Sequence, residues 1–237
     1  MQCVKPFYVN GDTTPLRCGK CAPCRIHHRD EWSTRLQLEA YFDVNPKMWI
    51  TLTYDDDNVP YNNELYYHDV KEFLKRLRNH TEKKIRFFCA GEYGTNSTRR
   101  PHYHLYISGF NTGVERRLQP HHYGKRGMYN RNENILLNCW RTNPKDTTTP
   151  IKGMIDVKHV VMGRLNYQCK HIAKEVKERK ELEDGRIPMF HRQSAGIGRN
   201  ALFALLSNPH TAEYLDKHGD VPCQIRIGGK LRQMPQY

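Results

Sequence analysis

Apolar positions along the chain fall into short blocks with two different periods. Val70, Phe73, Leu74 and Leu77 recur at i, i+3, i+4 and i+7, with Lys71, Lys75 and Arg76 off that stripe, which predicts an amphipathic helix. Trp32, Leu36 and Ala40 lie one turn apart and predict a helix over 30–42, ended by Asn45-Pro46. Met48 to Tyr54 (MWITLTY) is dense in aromatic and β-branched residues and reads as a strand. Ile85 to Glu92 and His102 to Gly109 read as two more strands, joined through the Tyr93 to Pro101 loop as a hairpin. Phe110 to Gly153 is long and polar, with a short helix expected around 134–140. Met154 to Val160 reads as a fourth strand and 161–178 as a helix. Met189 to Gly198 reads as a turn before a helix at Arg199 to Leu206, and Pro209 to Tyr237 as a basic, partly extended tail.

The order βαββαβ followed by extra helices predicts an α+β fold. It is the split-βαβ, ferredoxin-like pattern, in which helices cover a central antiparallel sheet. A chain of 237 residues can bury one substantial core, or a core plus a small appendage. The expected division is a Cys-rich N-terminal appendage over 1–29, a main domain over 30–190 and a basic C-terminal extension over 191–237.

Charge narrows the class of partner. The formal net charge is +13 with a pI near 9.4, and the cations are spread from Lys5 to Arg232. A dispersed excess of this kind suits a polyanion, because each phosphate neutralised by Lys or Arg releases condensed counterions; a solvated basic face has the same composition. The 14 tyrosines add rings on which unpaired bases can stack. No apolar run approaches the roughly 20 residues needed to span a bilayer, and Met1 to Asn10 lacks a secretory apolar region. No Gly-x4-Gly-Lys-Ser/Thr loop is present, so ATP-driven strand separation is not indicated. Three of the eight cysteines fall at Cys18, Cys21 and Cys24. Two-residue gaps bring thiolates together around a metal more naturally than they pair them as disulfides, so a reducing, intracellular setting is expected. The alternative is a reduced, metal-free cluster.

Two constellations carry candidate chemistry. Side chains alternate across a strand, so His102 and His104 share one face while Tyr103, Leu105 and Ile107 take the other. Glu92, ten residues upstream at the end of the preceding strand, completes a two-His, one-carboxylate set if the strands pair. Such a set suits Mn2+ or Mg2+ with open coordination positions, which would polarise a phosphate. Two ordinary histidines on a polar sheet face are the competing reading. On the helix beginning near Val161, a projection at 100° per residue groups Val161, Leu165, Cys169, Ile172 and Val176 within roughly 80°. Tyr167, Lys170, His171 and Lys174 lie nearly opposite. Cations beside a phenol favour its phenolate, so Tyr167 is a candidate nucleophile with Lys170 as its helper; a solvated basic face carrying an incidental tyrosine is the alternative.

Taken together, these segments resemble the replication initiators of small single-stranded DNA phages of the microvirus group, particularly the gokushovirus-like branch, which belong to the HUH endonucleases. The residues that carry the resemblance are Cys18-Gly19-Lys20-Cys21-x-x-Cys24-Arg25, Thr51-Leu52-Thr53-Tyr54, Phe73-Leu74-Lys75-Arg76-Leu77-Arg78, Gly91-Glu92-Tyr93-Gly94, Arg100-Pro101-His102-Tyr103-His104, Tyr167-x-x-Lys170 and Gly196-Ile197-Gly198. The resemblance implies an HUH endonuclease fold with an RRM-like sheet. It also implies rolling-circle initiation, in which a metal on His102, His104 and Glu92 binds the scissile phosphate. Tyr167 then forms a 5′-phosphotyrosyl link and frees a 3′-hydroxyl, and a later transfer closes the strand. Implied partners are single-stranded and replicative-form viral DNA at the origin, with host DNA polymerase, helicase and single-strand-binding protein. The implied location is the cytoplasm of a bacterial host.

Within this resemblance, Cys3 is the first choice and His27 the second for a fourth ligand to a structural Zn2+ on Cys18, Cys21 and Cys24. Arg100, Lys174, Arg192 and Arg199 are candidate DNA contacts. His171 stands where relatives often carry a second tyrosine, so a two-tyrosine exchange on this helix is not implied. Two other function classes stay open. One is a non-catalytic single-stranded nucleic-acid-binding protein that stacks bases on Tyr103 and Tyr106; the other is a metal-dependent hydrolase in which water attacks.

Overall fold

The structure is a computed structural model and describes residues 2–11, 13–94, 99–161, 165, 185–227 and 229–235. These residues form two compact units. One comprises the described residues of Val44–Val160 and Glu181–Ala195, the other those of Met1–Asp43, Val161–Lys180 and Gly196–Tyr237.

The first unit is built on β1 (Lys47–Thr53), α2 (Tyr67–Arg78), β2 (Arg86–Tyr93), β3 (Pro101–Ser108), β4 (Arg116–Leu118), α3 (Arg131–Cys139), β5 (Ile155–Lys158) and β6 (Phe190–Gln193). All six strands join one sheet in the order β4-β5-β1-β3-β2-β6, with every pairing antiparallel. The expected α+β class and central antiparallel sheet are thus present. β1 and β2 both flank β3 and run parallel to each other, which is why a helix, α2, connects them.

One sheet face packs on the helices. Ile50 and Leu52 of β1, Tyr103, Leu105 and Ile107 of β3, and Ile155 and Val157 of β5 bury against Val70, Phe73, Leu74 and Leu77 of α2 and Leu136 and Leu137 of α3. The i, i+3, i+4, i+7 stripe of α2 is therefore its core face. Trp140, just past α3, fills the centre of this layer and donates its indole N–H to the Thr53 carbonyl at 2.9 Å. α3 begins on a capping box in which the Asn130 side chain accepts the Glu133 amide at 2.9 Å and the Glu133 carboxylate accepts the Asn130 amide at 2.7 Å. β4 and β6 go beyond the expected strands; both lie at the sheet's edges.

The second unit contains α1 (Ala22–Phe42), α4 (Asn200–Leu206), α5 (Pro209–His218) and the antiparallel hairpin β7 (Gln224–Ile227) and β8 (Lys230–Gln233). Two expectations are corrected here. α1 starts at Ala22 rather than near Asp30, with Pro23 in its first turn, where a missing N–H costs nothing. The stretch from Pro209 is a helix and a hairpin rather than a partly extended tail. α5 is capped by the Asn208 side chain on the His210 amide at 3.0 Å and ended by Gly219 in the left-handed region. Leu38 of α1, Ala201 of α4 and Ile227 of β7 form this unit's apolar centre. No helix among the described residues is long and apolar enough to cross a membrane.

Candidate metal centre

The face of the sheet opposite the α2 layer carries the candidate site. Register sets its composition: Thr53 and Glu92 both lie opposite His102, and Thr51 and Ala90 both lie opposite His104. Because residues paired across strands share a face, the two imidazoles are bracketed by one carboxylate, two threonines and an alanine. The hairpin expected from the sequence therefore forms in the register that delivers Glu92 to the histidines.

The three side chains converge. Glu92 Oε1 lies 2.8 Å from Nε2 of His102 and 2.8 Å from Nε2 of His104, and the three candidate ligand atoms all lie within 4.8 Å of one another. The other ring nitrogens are held as well. His102 Nδ1 is 3.2 Å from the Arg100 carbonyl and His104 Nδ1 is 3.0 Å from Thr51 Oγ1. A carbonyl only accepts, so His102 carries its proton on Nδ1 and turns the Nε2 lone pair toward Glu92. A neutral ring in that tautomer repels a carboxylate oxygen at this distance unless a cation stands between them. Ligands at right angles around an ion with ~2.1 Å bonds sit about 3 Å apart, close to the observed spacing. The donor set and its spacing thus fit a divalent cation. Glu92 is almost wholly buried while both imidazoles keep an exposed edge, so the open coordination positions face outward.

Other candidate residues are placed as follows. Arg100 donates to the Tyr54 carbonyl at 2.9 Å and pairs with Asp56, which commits its guanidinium to the loop after β1. Arg192 lies opposite Cys89 on the helix-covered face, over the rings of Phe190 and Tyr67, and so is not on the histidine face. Arg199 is exposed at the start of α4. The Gly198 amide donates to the buried Glu39 carboxylate at 2.7 Å, so the Gly-Ile-Gly turn does not present that amide to a phosphate. Tyr167, Lys170, His171 and Lys174 lie outside the described residues. Near that predicted helix, the Leu165 amide donates to the Val161 carbonyl at 3.3 Å and Leu165 is buried, whereas Val161 is exposed.

Tyr103 and Tyr106 are both fully buried, so neither ring is available to stack a base. Burial pushes the Tyr103 and Tyr54 hydroxyls well above the ordinary tyrosine range. Their oxygens are hydrogen-bonded inside the core: Tyr54 donates to Asp69 at 2.9 Å, and Tyr103 accepts the Tyr66 amide at 2.7 Å. Reading the sequence alone did not single out Thr51 or His191. His191 of β6 lies opposite Ala90 and shares the histidine face, with its ring stacked on Phe88.

The second cluster, Cys3, Cys18, Cys21 and Cys24, also closes to within 4.8 Å between sulfurs. His27 is not part of it.

A model of the replication-associated protein ORF2 family matches residues 47–178. The replication-associated protein ORF2 of Spiroplasma virus 4 is 28% identical over 241 residues, covering 97% of this chain and 68% of that protein. The replication-associated protein ORF4 of Chlamydia phage 1 is 28% identical over 170 residues, covering 68% of this chain and 38% of that protein. No solved structure matches the chain. The matched segment includes β1, the β2–β3 hairpin with all three converging side chains, and Tyr167, so the chain belongs to the replication-associated protein ORF2 family.

Proposed function

We propose that this protein initiates rolling-circle replication of a phage genome by nicking single-stranded origin DNA, as an HUH-type endonuclease and strand transferase. The observation that carries the proposal is the convergence of His102 and His104 on Glu92 at 2.8 Å, with both Nδ1 atoms tied down. Supporting it is the strand order β5-β1-β3-β2 with α2 between β1 and β2, the order of a ferredoxin-like sheet.

On this reading Glu92, His102 and His104 hold one Mn2+ or Mg2+. A divalent ion there supplies Lewis-acid polarisation of the scissile phosphate. Tyr167 loses its phenolic proton and its oxygen bonds to phosphorus. The bond to the 3′-oxygen breaks, and that oxygen takes up a proton. The products are a 5′-phosphotyrosyl link and a 3′-hydroxyl that a host polymerase extends, and Lys170 offsets the charge that builds on the phosphate. With Tyr54 and Tyr103 sealed in the core and His171 one turn after Tyr167, a single tyrosine serves both cleavage and rejoining. Viral DNA is the substrate, host helicase and single-strand-binding protein assist, and the setting is the bacterial cytoplasm.

The binding-module alternative loses its proposed stacking rings to burial. The test incubates the protein with single-stranded oligonucleotides tiled across its genome and Mn2+. A denaturant-resistant adduct is expected on one sequence, absent in Tyr167→Phe. Cleavage that survives in Tyr167→Phe without an adduct would replace tyrosine attack with water attack.

A further inference from the structure

Cys3, Cys18, Cys21 and Cys24 all carry free thiols, and their arrangement is that of ligands rather than of disulfide partners. Cys18 Sγ lies 3.9 Å from Cys24 Sγ, and Cys21 Sγ lies 3.9 Å from Cys3 Sγ. A disulfide needs about 2.05 Å between sulfurs. A tetrahedron of thiolates at Zn–S bonds of about 2.3 Å has edges of about 3.8 Å. Both observed edges match the second figure.

The backbone is shaped to produce this tetrahedron. Phe7 and Leu16 exchange amide-to-carbonyl hydrogen bonds at 3.1 and 2.8 Å, which fold the arm so that Cys3 returns to Cys18. Gly19 turns through the left-handed region at φ 71°, bending the chain between Cys18 and Cys21; any side chain there would be strained. Cys21 then caps α1 and Cys24 sits in its first turn, where unpaired amides favour negative charge. Two sulfurs accept backbone amides directly: the Cys18 amide is 3.3 Å from Cys3 Sγ and the Cys21 amide is 3.5 Å from Cys18 Sγ. The four thiols also differ in their readiness to ionise. The Val4 amide pulls Cys21 down to about 6, while burial pushes Cys24 up to about 11 as a lone thiol. A buried thiolate requires a partner cation, and the other three sulfurs surround the place for it.

We infer that these four cysteines bind one structural Zn2+ per chain, with no open coordination position, stapling the N-terminal arm to the start of α1. Four thiolates in a tetrahedron select zinc over Mg2+ or Mn2+. The ion contributes folding free energy to a segment with few apolar contacts of its own: Val4, Phe7, Tyr8 and Val9 are all exposed. This site is independent of the nicking reading.

The test uses the full chain, purified without chelator, and measures zinc and iron by elemental analysis. One zinc and no iron per chain is expected, with loss of the zinc in Cys21→Ser and retention in Cys223→Ser and His102→Ala. Co2+ exchanged into the wild-type chain should give the intense charge-transfer and visible bands of a tetrahedral thiolate site. Should Cys21→Ser fail to fold, titration of the wild-type chain with a mercurial replaces it; one zinc should be released as four thiols react. Zinc retained in folded Cys21→Ser, iron in its place, or a wild-type chain with no zinc whose four thiols alkylate as fast as exposed Cys223 would each overturn the inference.

Discussion

The two ligand clusters of this protein are built in opposite ways. Glu92, His102 and His104 project from the middle of a sheet whose other face is a packed apolar layer, so register between strands places them. Cys3, Cys18, Cys21 and Cys24 hang on a loop, one short backbone pairing and the first turn of a helix. The first cluster has three mixed N/O donors with an exposed edge; the second has four sulfurs and closes on itself. A scaffold that stands without its ion leaves coordination positions for a substrate, whereas a segment that depends on its ion uses every position to hold itself together.

Chelation separates them most sharply. Brief EDTA treatment should abolish oligonucleotide cleavage completely, and added Mn2+ should restore it, while zinc stays at one per chain by elemental analysis. Loss of both ions together, with unfolding by circular dichroism, would erase the distinction.

A smaller effect is expected from the residue behind His104. Thr51→Val keeps the shape but removes the oxygen 3.0 Å from Nδ1. Calorimetric titration should show Mn2+ affinity falling about 10–100-fold, the usual scale for losing an outer-shell partner, with melting temperature unchanged. The smallest expected effect tests the scaffold beside Glu92. A methyl group on Gly91 would meet Phe190 Cζ at 2.9 Å and Leu65 Cδ2 at 3.1 Å. Gly91→Ala should destabilise the fold by about 1–3 kcal/mol in denaturant titration through overpacking, while zinc content is unaffected.

Legibility in the sequence followed the range of the interactions. α2 could be read because Val70, Phe73, Leu74 and Leu77 repeat a local period, and the β2–β3 hairpin because its two strands are close in sequence. Glu92 followed from that hairpin. Thr51 did not, because its place beside His104 depends on pairing across 53 residues. Four-residue β6 has too little pattern to signal itself, so His191 was missed with it. The start of α1 was hidden by cysteines and cations that mask a helical period, although Pro23 marks a helix start. The C-terminal elements were signalled by Asn208-Pro209, Gly219 and Gly228-Gly229, which are cap and hairpin signals in a segment whose charge suggested a tail. The Cys cluster was half legible: Cys18, Cys21 and Cys24 announce themselves by spacing, but Cys3 joins them through the Phe7–Leu16 pairing.

The most direct test compares Mn2+ binding and oligonucleotide cleavage in the wild-type chain and in His102→Ala. The wild-type chain should bind one Mn2+ in addition to its zinc. His102→Ala should lose that Mn2+ and cleave about 10³-fold more slowly, several kcal/mol of transition-state stabilisation, while keeping its zinc and its affinity for the oligonucleotide. A His102→Ala protein that binds Mn2+ and cleaves like the wild type would contradict the assignment of the sheet cluster as the catalytic centre.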